Sequence, residues 1–367
     1  MENKKLLFIS GSLGLGHATR DLAIAAQLRR QNPDLTIHWL AGPPAAPLIQ
    51  AQGEQLLPQC ERFTNLSLDA ERVSRGFRLN LIRYAAQARS SWSTNVRAFL
   101  DVVGSHSYDV VVGDETYEID IALERQPAVK TFPFVMIYDF VGMDAMSWNP
   151  IERAMVYVWN RIWARPEVAD LALFVGEPED VPDKKFGWGL PNRRTWARAR
   201  YKFTGYVFPF ELGACSNRDQ TRAELGYGPE PLIVCSIGGT SIGRELLELC
   251  GQAFAHLRQR LPSARMVLVC GPRLDPATVK VPPGVEVHGY VPALYRHFAA
   301  CDLAIVQAGG TSTLELTALR RPFLYFPIEG HCEQELGVAE RLARHRAGER
   351  LLFSRTTPQL LAERALA

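Results

Sequence analysis

The stretch that decides the fold is residues 301–334, CDLAIVQAGGTSTLELTALRRPFLYFPIEGHCEQ. Its first apolar run, 303–306, reads as a buried strand that stops at Gln307. A turn follows, Gly309-Gly310-Thr311-Ser312-Thr313, and then a helical period carried by Leu314, Leu316, Ala318 and Leu319. Residues 323–326 read as a second buried strand, stopped by Pro327. Strand, glycine-rich turn, helix and strand make a βαβ unit, and polar residues gather at the carboxyl ends of its strands. In open α/β sheets that edge binds ligands. Glycines let a backbone approach closely, and the free N–H groups of a helix start favour a phosphate. Glu315, one turn into the helix, is placed to accept from a ribose hydroxyl. His331, Glu333 and Gln334, beyond the second strand, offer donors and acceptors suited to sugar hydroxyls.

The same pattern recurs just upstream. Residues 232–237 form an apolar run ending in Gly238-Gly239-Thr240-Ser241, before a helical stretch over 242–260. This second turn, through Gly239 and Thr240, points at the same phosphate site. Further strands are expected at 266–270 and 285–288, with helices over 335–347 and 356–367. Prolines and glycines cluster at 206–213, which places a hinge there and divides the chain into 1–209 and 210–367.

The first half opens in a related way. A short strand at 6–9 runs into Gly11-Ser12-Leu13-Gly14-Leu15-Gly16-His17, and an amphipathic helix follows over 18–30. Gly11 and Gly16 have the spacing of a P-loop, but His17-Ala18 stands where lysine and serine or threonine belong. A dinucleotide fingerprint fails as well. The glycine order is wrong, and the next strand ends in Trp39-Leu40-Ala41, with no acid to hold a ribose. What the loop does present is His17. A histidine titrates near neutral pH and can take a proton from an attacking hydroxyl, provided a carboxylate orients it. Residues 108–113, YDVVVG, read as a strand with Asp114-Glu115 at its end. Parallel strands end on a common edge, so His17 and Asp114 are expected to meet.

The remainder sets bounds. Residues 45–105 are mainly helical, with spaced arginines that fit a solvated face, an acidic acceptor or a membrane surface. Residues 131–163 are dense in aromatics and methionine, with a strand at 134–138, a loop over 139–149 at the ligand edge, and an amphipathic helix over 151–164. That helix either caps the core or lines a cleft for an apolar or lipid-linked acceptor. A strand is expected at 169–175, and the basic segment 190–202 leads toward the hinge. At 367 residues, 47% hydrophobic and 22% charged, the chain suits two globular domains. A net charge of +2 is close to balanced, so composition alone argues for neither a nucleic-acid partner nor a membrane, and no nucleic-acid partner is expected. Seven scattered cysteines, without CxxC spacing, fit a reducing cytoplasm and no structural zinc. The apolar start is too short for a signal peptide, and no run reaches the ~18–20 residues of a membrane span. A soluble protein is expected.

Segment 301–334 resembles the donor-binding signature of nucleotide-sugar glycosyltransferases of the GT-B fold. Gln307, Ala308, Gly309, Gly310, Thr311, Ser312 and Glu315 fall on its first part, Pro322 on its turn, and Glu333-Gln334 on its end. The segment is also similar to the lipid-linked N-acetylglucosamine transferases. Two departures stand out: Gln307 replaces a histidine that contacts the diphosphate in the plant enzymes, and two extra residues precede Glu333. The resemblance implies an α/β protein of the GT-B class, two Rossmann-like domains facing a central cleft, with the acceptor on 1–209 and the nucleotide-sugar on 210–367. It implies an inverting, metal-independent transfer from a UDP-sugar to a hydroxyl of a lipid-linked or small apolar or aromatic acceptor, with no cofactor beyond that donor substrate. His17 would be the base with Asp114 orienting it; in the lipid-acceptor relatives Asp114 or Glu115 would take the proton. Gly239, Thr240, Gly309, Gly310, Thr311 and Ser312 would stabilise the diphosphate, Val291 would hold the uracil, and Glu315, Glu333 and Gln334 the two sugars. The enzyme would be cytoplasmic, with peripheral contact at the inner face of the membrane. Two other readings stay open: a UDP-GlcNAc 2-epimerase of the same fold, and a non-catalytic sugar-nucleotide-binding subunit of a split transferase.

Overall fold

Short apolar runs alternating with helices fold into two parallel sheets, each within its own unit. The computed structural model describes residues 4–11, 15–64, 66–166 and 168–367. One unit comprises Met1–Val73 and Asn80–Pro209, the other Ser74–Leu79 and Phe210–Ala367.

In the first unit the strands are β1 (Lys5–Ser10), β2 (Thr36–Ala41), β3 (Gln55–Leu56), β4 (Val110–Asp114), β5 (Phe134–Tyr138), β6 (Leu171–Phe174) and β7 (Tyr201–Phe203). Their order is β3-β2-β1-β4-β5-β6-β7, all parallel. Successive side chains of a strand point to opposite faces, and both faces here are covered. Leu7 and Ile9 join Val111, Phe134 and Phe174 in one core. Leu6 and Phe8 join Trp39, Val112 and Ile137 in the other. Burial on both sides explains why the strands read as unbroken apolar runs. Strand order reverses between β1 and β4, which opens a crevice at their carboxyl ends. The register pairs Ser10 with Asp114, so that crevice is flanked by the residues that follow Ser10 and by Asp114 itself.

The second unit repeats the plan with β8 (Leu232–Ser236), β9 (Arg265–Val269), β10 (Glu286–His288), β11 (Leu303–Gln307), β12 (Phe323–Phe326) and β13 (Glu349–Arg350). Here the order is β10-β9-β8-β11-β12-β13, and the reversal falls between β8 and β11. Ser236 lies level with Val306. The last helix, Pro358–Leu366, packs on the helix Arg244–Leu257 of the same unit. Residues 74–79 strap across this unit. The Leu79 N–H donates to Glu329 O at 2.9 Å, and the Glu329 N–H to Phe77 O at 3.1 Å. The buried Phe77 ring lies 5.0 Å from that of Phe353.

Several local expectations shift. The first helix is Leu15–Gln31, which brings His17 into its first turn; Ser12 to Gly14 lie outside the described residues. The strand read over 108–113 is β4, and Asp114 is its last residue. The helix after β11 begins at Gly310, inside the stretch read as a turn. In place of one helix over 335–347 there is a π-helical turn, Glu333–Val338, and then the helix Ala339–His345. Segment 190–202 is more than a connector. Asn192 caps a short helix, Arg193–Arg198, by accepting from the Thr195 N–H, and Tyr201 then enters the sheet edge and stacks on Tyr138 at 4.7 Å. Among the described residues no helix is long and apolar enough to cross a membrane.

Candidate active site

At the first crevice the structure brings together His17, Arg20, Asp114, Glu115 and Asp139. His17 Nδ1 lies 3.1 Å from Asp114 Oδ2. Arg20, one turn further along the same helix, donates from Nη2 to both Asp114 oxygens at 2.6 and 2.7 Å, and from Nη1 to Asp139 Oδ2 at 2.8 Å. The same Nη2 approaches His17 Nδ1 to 2.8 Å. On the far side of the ring, His17 Nε2 faces Asp139 Oδ2 at 3.7 Å and Glu115 Oε2 at 3.9 Å. Each acid arrives from a strand end: Asp114 closes β4, Glu115 follows it, and Asp139 follows β5. Glu115 takes a left-handed backbone, φ 51°, of the kind that concentrates at functional sites. Its Oε1 accepts from Tyr117 OH at 3.2 Å and from the Asp139 N–H at 3.4 Å.

The charges determine one another. Burial alone would raise Asp114, but the Arg20 guanidinium and His17 outweigh it and hold the carboxyl well below its usual range. Burial opposes protonation of His17 and Arg20 adds to that, yet Asp114 and Asp139 prevail and raise its pKa above the usual 6.5. Asp139 sits at about 2, because Arg20 and His17 overcome its desolvation. Behind this layer Asp21 is fully buried; burial and the Asp114 charge push its pKa well above the usual carboxylate range. Ser10 Oγ donates to Asp21 Oδ2 at 2.6 Å and holds it in place. His17, Glu115 and Asp139 also offer one ligand atom each within 4.8 Å of one another, the spacing of a metal site. The Arg20 guanidinium already supplies that cluster with a fixed positive charge.

The second crevice is built from two turns. After β8, Gly238 takes φ 75° and carries the chain into Gly239 and Thr240. Its carbonyl lies where a Cβ on Gly271 would come within 2.1 Å, so this packing requires glycine at 271. The Thr240 hydroxyl is buried and has no hydrogen-bond partner among the described residues. After β11, Gly309 caps the helix Gly310–Ala318, whose opening residues Gly310, Thr311 and Ser312 turn their N–H groups toward this end. Glu315 is buried, and no described group hydrogen-bonds to its carboxyl; desolvation pushes it up to about 8. His331 is driven down to about 4 by burial, and its Nδ1 is buried without a partner.

Gln307 and Gln334 are engaged within the chain. The Gln307 amide nitrogen donates to Ile237 O at 2.8 Å and Ile242 O at 2.9 Å, and its oxygen accepts from Gln334 Nε2 at 3.3 Å. Gln334 Oε1 accepts from the Ile328 N–H at 2.9 Å. These two amides tie the β8 turn to the β12 loop, which leaves Gln334 at most one N–H for a sugar. Glu333 lies close to Gly310, its Oε1 3.8 Å from where a Cβ there would stand. Val291, after β10, packs against the core of this unit. Two arginines escaped sequence reasoning. Arg20 was not among the expected site residues, although three residues from His17 is one helical turn. Arg341 donates to Gly310 O at 3.3 Å and keeps a buried Nε without a partner, beside the glycine-rich turn. Its distance in sequence from that turn left no signal.

No family model matches the chain. It is 36% identical over 347 residues to an uncharacterized glycosyltransferase of Methanosarcina mazei, a match covering 90% of this chain and 82% of that one. It is 30% identical over 346 residues to the UDP-N-acetylglucosamine--N-acetylmuramyl-(pentapeptide) pyrophosphoryl-undecaprenol N-acetylglucosamine transferase of Mycolicibacterium smegmatis, covering 90% and 77%. Among solved structures, Arabidopsis thaliana UGT89C1 complexed with UDP matches 99% of this chain and 90% of its own with a TM-score of 0.62, at 17% identity, a likeness of fold. With two parallel α/β units, a ligand edge on each, and near-full-length relatives of this kind, the chain belongs to the glycosyltransferases of the GT-B fold.

Proposed function

We propose that the protein is an inverting glycosyltransferase that moves a sugar from a UDP-sugar to an acceptor hydroxyl without help from a metal ion. The observation that carries this reading is the contact between His17 Nδ1 and Asp114 Oδ2, 3.1 Å, at the switch point of the first sheet. With Nδ1 protonated and turned to Asp114, Nε2 bears the lone pair and receives the acceptor's proton. The acceptor oxygen attacks the anomeric carbon from the face opposite the nucleotide. Its bond to the diphosphate oxygen breaks, and UDP departs with the electron pair, leaving the sugar inverted.

The leaving diphosphate is stabilised by N–H groups at Gly239-Thr240 and Gly309 to Ser312, the Thr240 hydroxyl and Arg341. Glu315 accepts from the ribose hydroxyls, which supplies the partners its buried carboxyl lacks. Val291 offers backbone groups to the uracil, and Glu333, His331 and the free N–H of Gln334 meet the transferred sugar. UDP is favoured because the relative from M. smegmatis is named for a UDP-sugar donor and the structural neighbour was solved with UDP. The acceptor is lipid-linked or a small apolar molecule; the undecaprenol-linked acceptor named for that relative supports the first. The same reading places the enzyme in the cytoplasm, at the inner face of the membrane when the acceptor is lipid-linked.

Calorimetric titration with UDP, GDP, dTDP and NAD tests the donor side, with Glu315→Ala as control. UDP binding that the variant loses supports the reading. Turnover of UDP-sugars then gives the anomeric configuration of the product, and activity that survives a chelator supports metal independence. Binding of NAD alone, or of no nucleotide by a folded chain, overturns the transferase reading.

A further inference from the structure

The helix Pro150–Trp163 packs Val156 and Trp163 inward but leaves much of its apolar surface outside. Its inward arc carries two polar residues, Glu152 and Asn160, both buried. They clamp the loops beside it. Glu152 accepts from the Met146 and Ser147 N–H groups, at 2.6 and 3.2 Å, and from Ser147 Oγ. Asn160 accepts from the Met143 N–H at 2.8 Å and donates to Met143 O and Phe186 O, each at 2.8 Å. The outward arc is apolar: Ile151 is 66% exposed, Val158 53% and Ile162 37%. These fall at i, i+7 and i+11, one stripe of a helix. Trp148, just before the helix, and Trp188, in a loop held to it by Tyr157 OH donating to Trp188 O at 3.2 Å, are each 90% exposed.

An apolar stripe of this size on a folded surface marks a contact face, and its setting selects the occupant. The helix's one acid, Glu152, is buried, while its basic residues Arg153 and Arg161 are exposed, as is Lys185 in the Trp188 loop. None of the three has an ion-pair partner among the described residues, and Arg153 lies over the Trp148 ring at 5.4 Å. A second copy docking face to face would bring these cations against their own copies. A small apolar ligand needs a concave site, whereas both tryptophans project outward. A helix with an outward apolar stripe bordered by Arg161, a second exposed cation, Arg153, over the Trp148 ring, and two exposed tryptophans fits a bilayer interface.

We propose that the outward face of Pro150–Trp163, with Trp148 and Trp188, docks on a bilayer containing anionic phospholipid. Ile151, Val158 and Ile162 enter the acyl boundary, and Arg153, Arg161 and Lys185 pair with headgroup phosphates. This goes beyond the transferase reading by naming the surface, and it does not depend on which acceptor is used. Each exposed cation near an anionic surface strengthens binding by about five-fold. The stripe makes that binding stable through area removed from water.

The test is sedimentation of the full chain with vesicles of phosphatidylcholine alone and of phosphatidylcholine mixed with phosphatidylglycerol, with no nucleotide or acceptor present. The expected result is binding to the mixed vesicles that weakens as salt rises, with a blue shift of tryptophan emission. Arg153→Glu/Arg161→Glu/Lys185→Glu should weaken it by about a hundred-fold or more. Trp148→Ser/Val158→Ser/Trp188→Ser should weaken it at least ten-fold. Both variants should keep the parent chain's thermal unfolding profile, which reports folding of the unit that carries them, as well as its UDP affinity. No binding to mixed vesicles at low salt overturns the proposal. So does self-association that Val158→Glu abolishes, which would assign the face to a second copy. Loss of UDP binding in the parent chain would count against the transferase reading alone.

Discussion

Arg20 Nη2 stands 2.8 Å from His17 Nδ1, while Asp114 Oδ2 stands 3.1 Å from the same nitrogen. A guanidinium offers only N–H groups, so a Nδ1 that faces it presents a lone pair and the proton sits on Nε2. A Nδ1 that faces Asp114 carries the proton and frees Nε2 to act as a base. Arg20 and Asp114 therefore compete for the tautomer of one ring, and each should move its titration in its own direction.

His17 must shed its proton before it can accept another. Because Asp114 and Asp139 raise its pKa, turnover should increase as pH rises through a value above 6.5. The stabilising effect runs the other way: protonated His17 contributes fully below its unfolded pKa of about 6.5 and fades as pH climbs through the raised folded value. His17→Ala should lower kcat by about 10²–10⁴-fold while UDP affinity holds. Rate profiles across pH and a nucleotide titration of the variant check both. An unchanged kcat would remove His17 from the chemistry.

Asp114→Asn removes the largest attraction for the His17 proton, so the inflection of the pH–rate curve should move to lower pH. Arg20→Lys loosens, and Arg20→Met deletes, a group that opposes that proton, so the inflection should move upward. Arg20→Met also leaves Asp114 buried without its guanidinium, at a cost of about 3–5 kcal/mol in a denaturant melt. A purely structural Arg20 would lower the melt and leave the inflection in place.

Glu315 at about 8 is a neutral acid in the free chain at pH 7. The folded state then binds more protons than the unfolded one between the ordinary 4.5 and about 8, and stability should fall as pH rises across that window. Glu315→Gln should abolish this slope and stabilise the free protein by up to about 3 kcal/mol at pH 7. The same variant should bind UDP more weakly. In the parent chain binding should tighten toward pH 8 and release protons, which calorimetry in buffers of different ionisation enthalpy measures.

Gly271 has φ 71° and faces Gly238 O across a gap too small for a methyl group. Gly271→Ala should cost about 1 kcal/mol for the left-handed backbone and about 1–3 kcal/mol for the overlap. The displaced turn is the one that carries Gly239 and Thr240, so UDP affinity should fall more than the melting temperature alone would suggest. Equal UDP affinity in the folded variant would exclude that turn from the donor site.

Much of this architecture can be read from the chain, because each strand is short, apolar and followed by a polar turn. The strand 323–326 is bounded by Pro322 and Pro327 and falls where its period places it. His17 and Asp114 are legible for the same reason, since neighbouring parallel strands must end side by side. What escapes is whatever depends on side chains reaching across elements. Arg20 differs from Arg29 and Arg30 on the same helix only in standing one turn from His17, and nothing local shows that its guanidinium reaches Asp114 and Asp139. Gln307 and Gln334 look like ligands because they are polar at a ligand edge, yet their amides are bound to each other and to backbone. The π-helical turn at Glu333–Val338 spans EQELGV, where Gly337 weakens a helix but does not by itself announce a π-helical turn.

The strap at 74–79 bears on how such a protein can be inherited. Since Ser74–Leu79 belongs with the second unit, the backbone passes between units after Val73, after Leu79 and after Pro209. A gene broken at the last of these points would not encode two self-sufficient products. The piece beginning at Phe210 would lack the Phe77 ring beside Phe353 and the backbone bonds that hold Glu329, two residues before His331. Fission of this lineage into separate polypeptides at that junction would have to move the strap or replace it. Fusion from two ancestral genes, likewise, would have had to be followed by an exchange of chain between the partners.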